Sequence, residues 1–183
     1  MFKGKKVIIL GERDGVSGPA IEACMKAAGA EVVFSITQCF VWTAAGAMDT
    51  ENQAAIKHLV EKNGADDLVV VLGAAGLDGA RMVAETVTSG DPSFAGPLGG
   101  VSLRLPVYHI LEPEVKKAIP ADVFEAQAGF MEMVIDVAEI EKRFKEIRAK
   151  MASAWSSFYK ALPWNCIKGT SEKAGVAKKL CVY

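Results

Sequence analysis

Long apolar runs, clustered metal ligands and cofactor fingerprints are all missing from this 183-residue sequence. No stretch approaches the ~18 apolar residues of a membrane span, and Met1-Phe2-Lys3-Gly4-Lys5-Lys6 leads into a short strand rather than a signal-peptide core. The expected location is the cytoplasm, with no membrane span. Charge of one sign is scarce: Lys+Arg 21 against Asp+Glu 22 leaves a net charge of -1 and a pI near 6.2. With no basic stripe of interleaved aromatics, no nucleic acid is expected as a partner. Histidine is limited to His58, flanked by Lys57 and Lys62, and His109, in an apolar segment beside Tyr108. Neither has a ligand at metal spacing, and both read as structural. Cys24, Cys39, Cys166 and Cys181 form no C-x-x-C pair, so no metal site is expected. The loop Gly11-Glu12-Arg13-Asp14-Gly15-Val16-Ser17-Gly18 lacks both G-x-G-x-x-G and the Gly-Lys-Ser/Thr ending of a P-loop. Tight turns explain its glycines, helix packing explains those of Gly73 to Gly79, and no bound cofactor is expected.

What is present is a globular composition, 51% hydrophobic and 23% charged, of a length suited to one domain with its own core. Lys6-Val7-Ile8-Ile9-Leu10 and Asp67-Leu68-Val69-Val70-Val71-Leu72 are continuous apolar runs, as parallel strands buried on both faces show. Glu31 to Ile36 and Pro106 to Leu111 complete a set of four strands. Ser17 with Pro19 opens a helix whose Ile21, Cys24, Met25 and Ala28 share a face, closed by Gly29. Thr50-Glu51-Asn52-Gln53 fits a capping box ahead of Ala55, Ile56, Leu59 and Val60. Further helices are expected at about 78–88, 121–133 and 136–151. Strand-helix units joined by short loops imply an α/β fold: a doubly wound, flavodoxin-like or Rossmann-like parallel sheet of about four strands, with helices on both faces. The irregular 89–106 segment, with three Pro and four Gly, is long enough to suggest a functional loop.

The charge divides unevenly. Residues 1–154 carry a net -5, whereas 155–183 carry a net +4 together with two of the three Trp. The expected organisation is one domain over 1–154 and a basic tail over 155–183. Cys39, in Gln38-Cys39-Phe40-Val41-Trp42-Thr43, lies just past the end of the second strand, where open α/β sheets place their sites. A thiol followed three residues later by a second chalcogen near a helix start makes a dithiol-type redox centre. Here that second position is Trp42, which can neither attack nor be reduced.

Several segments resemble the selenoprotein A family of the glycine, sarcosine and betaine reductase complexes. They are Gly4 to Ile9, Gly18 to Cys24, Gly29 to Phe34, Cys39-Phe40-Val41 with Thr43 to Asp49, Ala84 to Val87 and Phe94 to Leu98. The resemblance runs from Lys3 to about Arg148. It implies selenocysteine at the position of Trp42, since the UGA codon for selenocysteine is read as Trp in some genetic codes. Trp155 would then be a true stop and 155–183 a read-through product. It also implies a cycle in which residue 42 takes a carboxymethyl group from component B with release of the amine. The two-carbon unit passes to component C for acetyl phosphate formation, and thioredoxin reduces the bridge left between residue 42 and Cys39. The competing expectation is a non-catalytic flavodoxin-like binding module that uses the 73–79 or 89–106 loop for a phosphate-bearing ligand, or else an inactive relative with a genuine Trp42.

Overall fold

A computed structural model describes residues 1–39 and 48–161, the stretch 151–161 as helical backbone. The chain divides into two compact units, Met1–Arg148 and Ala149–Tyr183. The first holds a sheet of four strands: β1 (Lys6–Glu12), β2 (Glu31–Gln38), β3 (Leu68–Leu72) and β4 (Val107–His109), in the order β2-β1-β3-β4 and all parallel. The apolar runs have their expected cause. β1 and β3 are the central strands, and Val7 to Leu10 and Leu68 to Leu72 are buried on both faces. β2 and β4 are the edges.

Register assigns the faces. β1 pairs with β2 as Val7↔Val32 and then Ile8↔Phe34, a bulge that leaves Val33 between the pairs, and the ladder continues to Gly11↔Thr37 and Glu12↔Gln38. Thr37 therefore shares a face with Val7, Ile9 and Gly11. Its Oγ1 accepts the Gly18 N–H at 2.9 Å, which puts α1 (Gly18–Ala27) on that side. Leu10, Glu12 and Gln38 face the other way, where Gly79 and Val83 of α3 (Leu77–Ser89) close over them. Helices cover both faces, as right-handed crossovers require.

Several ends differ from the sequence expectation. Ser17 occupies the N-cap of α1 but its side chain makes no capping bond, because Thr37 reaches across from β2 instead. α2 (Thr50–Asn63) is capped by Asp49, one residue earlier than the capping-box reading. The Asp49 Oδ1 accepts from the N–H groups of Glu51 and Asn52 at 2.9 and 3.1 Å. That shift frees Gln53 to turn inward. β4 stops at His109 because the Glu112 carboxylate accepts the His109 N–H at 2.8 Å and turns the chain into the short α4 (Pro113–Lys116). The single helix expected over 121–133 is broken before Gly129 into α5 (Ala121–Gln127) and a 3-10 turn, Gly129–Met133. α6 (Val137–Ala161) starts after Asp136, whose Oδ1 accepts the Glu139 N–H, and runs past residue 154 as one helix.

Arg148 ties α6 to β4. Its guanidinium lies over the Tyr108 ring at 4.2 Å and donates to the Val107 carbonyl at 2.8 Å. It also donates to both Glu112 oxygens at 3.0 and 2.7 Å, and to Glu114 at 2.7 Å. Burial pushes the Glu112 carboxyl above its ordinary range, against the pull of these bonds. No helix among the described residues is long and apolar enough to cross a membrane.

Candidate functional site at the carboxyl ends of the strands

In a sheet ordered 2-1-3-4 the connections diverge between β1 and β3, and the crevice there is the usual place for a ligand. Here the chain fills it. The Val16 N–H donates to the Gly73 carbonyl at 2.8 Å, and the Gly73 N–H to the Leu10 carbonyl at 3.1 Å. A Cβ on Gly15 would lie 2.0 Å from the Gly73 oxygen, and one on Gly73 2.2 Å from the Val16 oxygen. One on Gly11 would lie 2.1 Å from the Gly18 nitrogen. The glycines of the two loops thus allow backbone to pack on backbone. Beside them, Leu10, Gly11, Glu12, Gln38, Leu72, Ala74, Gly79 and Val83 line a cleft of about 10 Å³, the space of one water.

Glu12, which the sequence did not single out, closes the inner wall and accepts the Ala75 N–H at 3.2 Å. Burial pushes its carboxyl above the ordinary range, a shift the Ala75 bond opposes and the charge of Asp14 reinforces. Next to β4, His109 is fully buried. Its Nδ1 accepts the Leu111 N–H at 3.2 Å, so the ring is the neutral tautomer whose Nε2–H donates to the Ala74 carbonyl at 2.9 Å. Burial lowers its pKa to about 4, the Ala74 bond opposing only in part. Its role is structural: it pins the loop after β3 to β4. His58 is exposed on α2. Among the described residues no group of three or more His, Cys, Asp or Glu is placed to hold a metal ion.

Cys39 follows directly on the last residue of β2, as the sequence reading placed it, and is a half-buried free thiol. The Arg13 N–H donates to the Gln38 carbonyl at 2.9 Å, so the peptide entering Cys39 is held against the end of β1. Trp42, the other expected site residue, lies outside the described residues, as do all of 40–47. The structure resumes at Met48, which is buried in the core, followed by the Asp49 cap.

What holds Met48 is Gln53, a fully buried amide that a capping-box reading directs to the wrong partner. Its Nε2 donates to the Met48 carbonyl at 2.9 Å and to Asp91 Oδ2 at 3.1 Å, and its Oε1 accepts the Leu98 N–H at 3.0 Å. Asp91 in turn accepts from the Ser93 N–H and Oγ and from the Ala95 N–H, at 2.9, 2.7 and 3.2 Å. Burial alone would raise the Asp91 carboxyl, but these bonds, with that from Gln53, outweigh it and hold it below the ordinary range. Asp91-Pro92-Ser93 is a turn signal that could have marked this structure in advance.

The chain's similarities agree with this geometry in extent. Residues 2–148 match the family described as glycine reductase complex selenoprotein A. The glycine/sarcosine/betaine reductase complex component A of Carboxydothermus hydrogenoformans is 63% identical over 150 residues, 80% of this chain and 96% of that protein. The protein of the same name from Symbiobacterium thermophilum is 57% identical over 154 residues, 84% of this chain and 99% of its own. Component A2 of Photobacterium profundum is 56% identical over 148 residues, 81% of this chain and 92% of its own. No solved structure matches the chain.

Proposed function

The chain belongs to the glycine reductase complex selenoprotein A family, and from that premise we propose that it is the cytoplasmic redox and carboxymethyl carrier of a glycine, sarcosine or betaine reductase. The observation that carries the reading is the match over residues 2–148, which spans nearly the whole length of relatives named as component A. Residue 42 acts as selenocysteine. A selenol is ionised at neutral pH, whereas a free Cys of pKa ~8.5 mostly is not. The selenolate attacks the α-carbon of the amine activated on component B, forming the Se–C bond as the C–N bond breaks and the amine leaves. The Cys39 thiolate then attacks selenium, forming the Se–S bond as the Se–C bond breaks. The electron pair of that bond leaves with the two-carbon unit, which is thereby reduced to the acetyl level and passes to component C, where phosphate releases it as acetyl phosphate. Thioredoxin supplies the two electrons that reopen the selenide-sulfide bridge, becoming a disulfide itself.

The position of Cys39 at the carboxyl end of an edge strand, outside the filled crevice, supports this use of the thiol. For the tail, the proposal is that 155–183 arises by read-through at residue 155. About a fifth of this chain lies outside matches that cover 92–99% of the relatives, which favours that reading. Mass spectrometry of the protein from its native host tests both points. The expected result is the selenium isotope pattern in the peptide spanning residue 42 and a C-terminus near Ala154. Tryptophan at 42 with an intact Tyr183 would sink the assignment.

A further inference from the structure

Glu12 and Gln38 end β1 and β2 as register partners, and both line the small cleft under α3. Gln38 Nε2 is buried there without a hydrogen-bond partner, the one such side-chain nitrogen or oxygen among the described residues. Native interiors rarely leave a donor in that state. Glu12, on the same cleft, gives Oε2 to the Ala75 N–H at 3.2 Å, and a carboxylate keeps further acceptor sites. Donor and acceptor thus stand on neighbouring strands, share one cleft and do not bond to each other.

Size and chemistry together name what would join them. The cleft, about 10 Å³, has room for a single water. Its occupant must accept an amide hydrogen and also sit against a carboxylate. A cation has no lone pair to offer the Gln38 N–H, and an anion is repelled by Glu12. Water accepts from the one and donates to the other. Burial and the charge of Asp14 push the Glu12 carboxyl above its ordinary range against the Ala75 bond alone, and a donor from the cleft would add a second opposing contact.

We propose that this cleft is a one-water site, in which a buried water accepts from Gln38 Nε2 and donates to the Glu12 carboxylate. The bridge links the ends of β1 and β2 to the loop after β3, which Glu12 already holds at Ala75. The Arg13 N–H holds the Gln38 carbonyl at 2.9 Å, so the residue before Cys39 is tied to the end of β1 by its main chain and its side chain alike. The site is independent of the carrier reading.

The test is water-to-protein NOE spectroscopy on the isotope-labelled full chain, read at the Gln38 side-chain amide. The expected result is a cross-peak with the sign of a water that tumbles with the protein. The Gln53 amide, buried and bonded to Met48 and Asp91, should show none and serves as reference. No cross-peak at Gln38, or one with the sign of fast surface hydration, overturns the proposal. Urea unfolding of Glu12→Met, Gln38→Met and the double variant adds a second arm. The unfolding constant of the double variant should differ from the product of the single effects by about threefold or more; independent effects would overturn the bridge. If a variant fails to fold, the wild-type amide signal still decides.

Discussion

The carboxyl ends of β1 and β3 and the carboxyl end of β2 lie side by side on one sheet and are finished in opposite ways. Between β1 and β3, backbone packs on backbone through Gly11, Gly15 and Gly73, and the crevice shrinks to the space of a water. At β2 the strand runs out into a half-buried thiol, and the next described residues are Met48, in the core, and Asp49, the cap of α2. The common ligand position of this architecture has become a structural joint. The Cys39 thiol stands one strand further out, at the sheet edge. The place that topology favours for binding is thus spent on rigidity, and the candidate thiol lies at the neighbouring strand end.

The sharpest way to break that contrast is Cys39→Ser. Thioredoxin-dependent turnover should fall on the order of a thousandfold, while the denaturation midpoint stays within about 0.5 kcal/mol of wild type. A variant that unfolds instead would mean that the thiol belongs to the joint. Gly15→Val attacks the other side. With a Cβ 2.0 Å from the Gly73 oxygen, the loops must part, and urea unfolding should show a loss of about 3 kcal/mol or more.

His109 contributes comparably, through pH. Its folded pKa near 4 lies below the unfolded value of 6.5, so between these the unfolded chain binds the extra proton. Stability is whole above pH 6.5 and drains as pH falls toward 4, by about 3 kcal/mol in all. Unfolding measured across that window should be steeper for wild type than for His109→Gln; equal slopes would refute the linkage. The smallest effect is expected from Gln53→Leu, which keeps the volume but takes away the acceptor of the buried Leu98 N–H, the donor to the Met48 carbonyl and one of the four donors to Asp91. A loss of about 2 kcal/mol should come with faster hydrogen exchange at Leu98 and the first turn of α2, leaving the β1 and β3 amides protected.

Legibility follows the physics of each element. β1 and β3 can be read directly because central parallel strands are apolar throughout, and Cys39 can be placed because strand ends in this fold are where sites occur. The caps fall one residue or one partner away from the sequence expectation, since Asp49 and Thr50 have equal claims in sequence. No local pattern says that Thr37 will cap α1 from another strand. Gln53 and Asp91 are hidden for the same reason: their bond spans 38 residues. Phe94 reads as an ordinary loop residue, and its φ of +55 is invisible there, because composition does not report the sign of φ.

The extra residue Val33 gives β2 a single reversal of parity. Counted in twos from Val32, Phe34, Ile36 and Gln38 should all sit beneath α1. The inserted step sends them to the opposite side, and it is the odd-numbered Thr37 that reaches Gly18. One residue more or fewer between Val32 and Phe34 would therefore exchange the inward and outward sets for the rest of the strand. Which face each residue takes as the chain approaches Cys39 is thus decided several residues upstream, by counting rather than by chemistry.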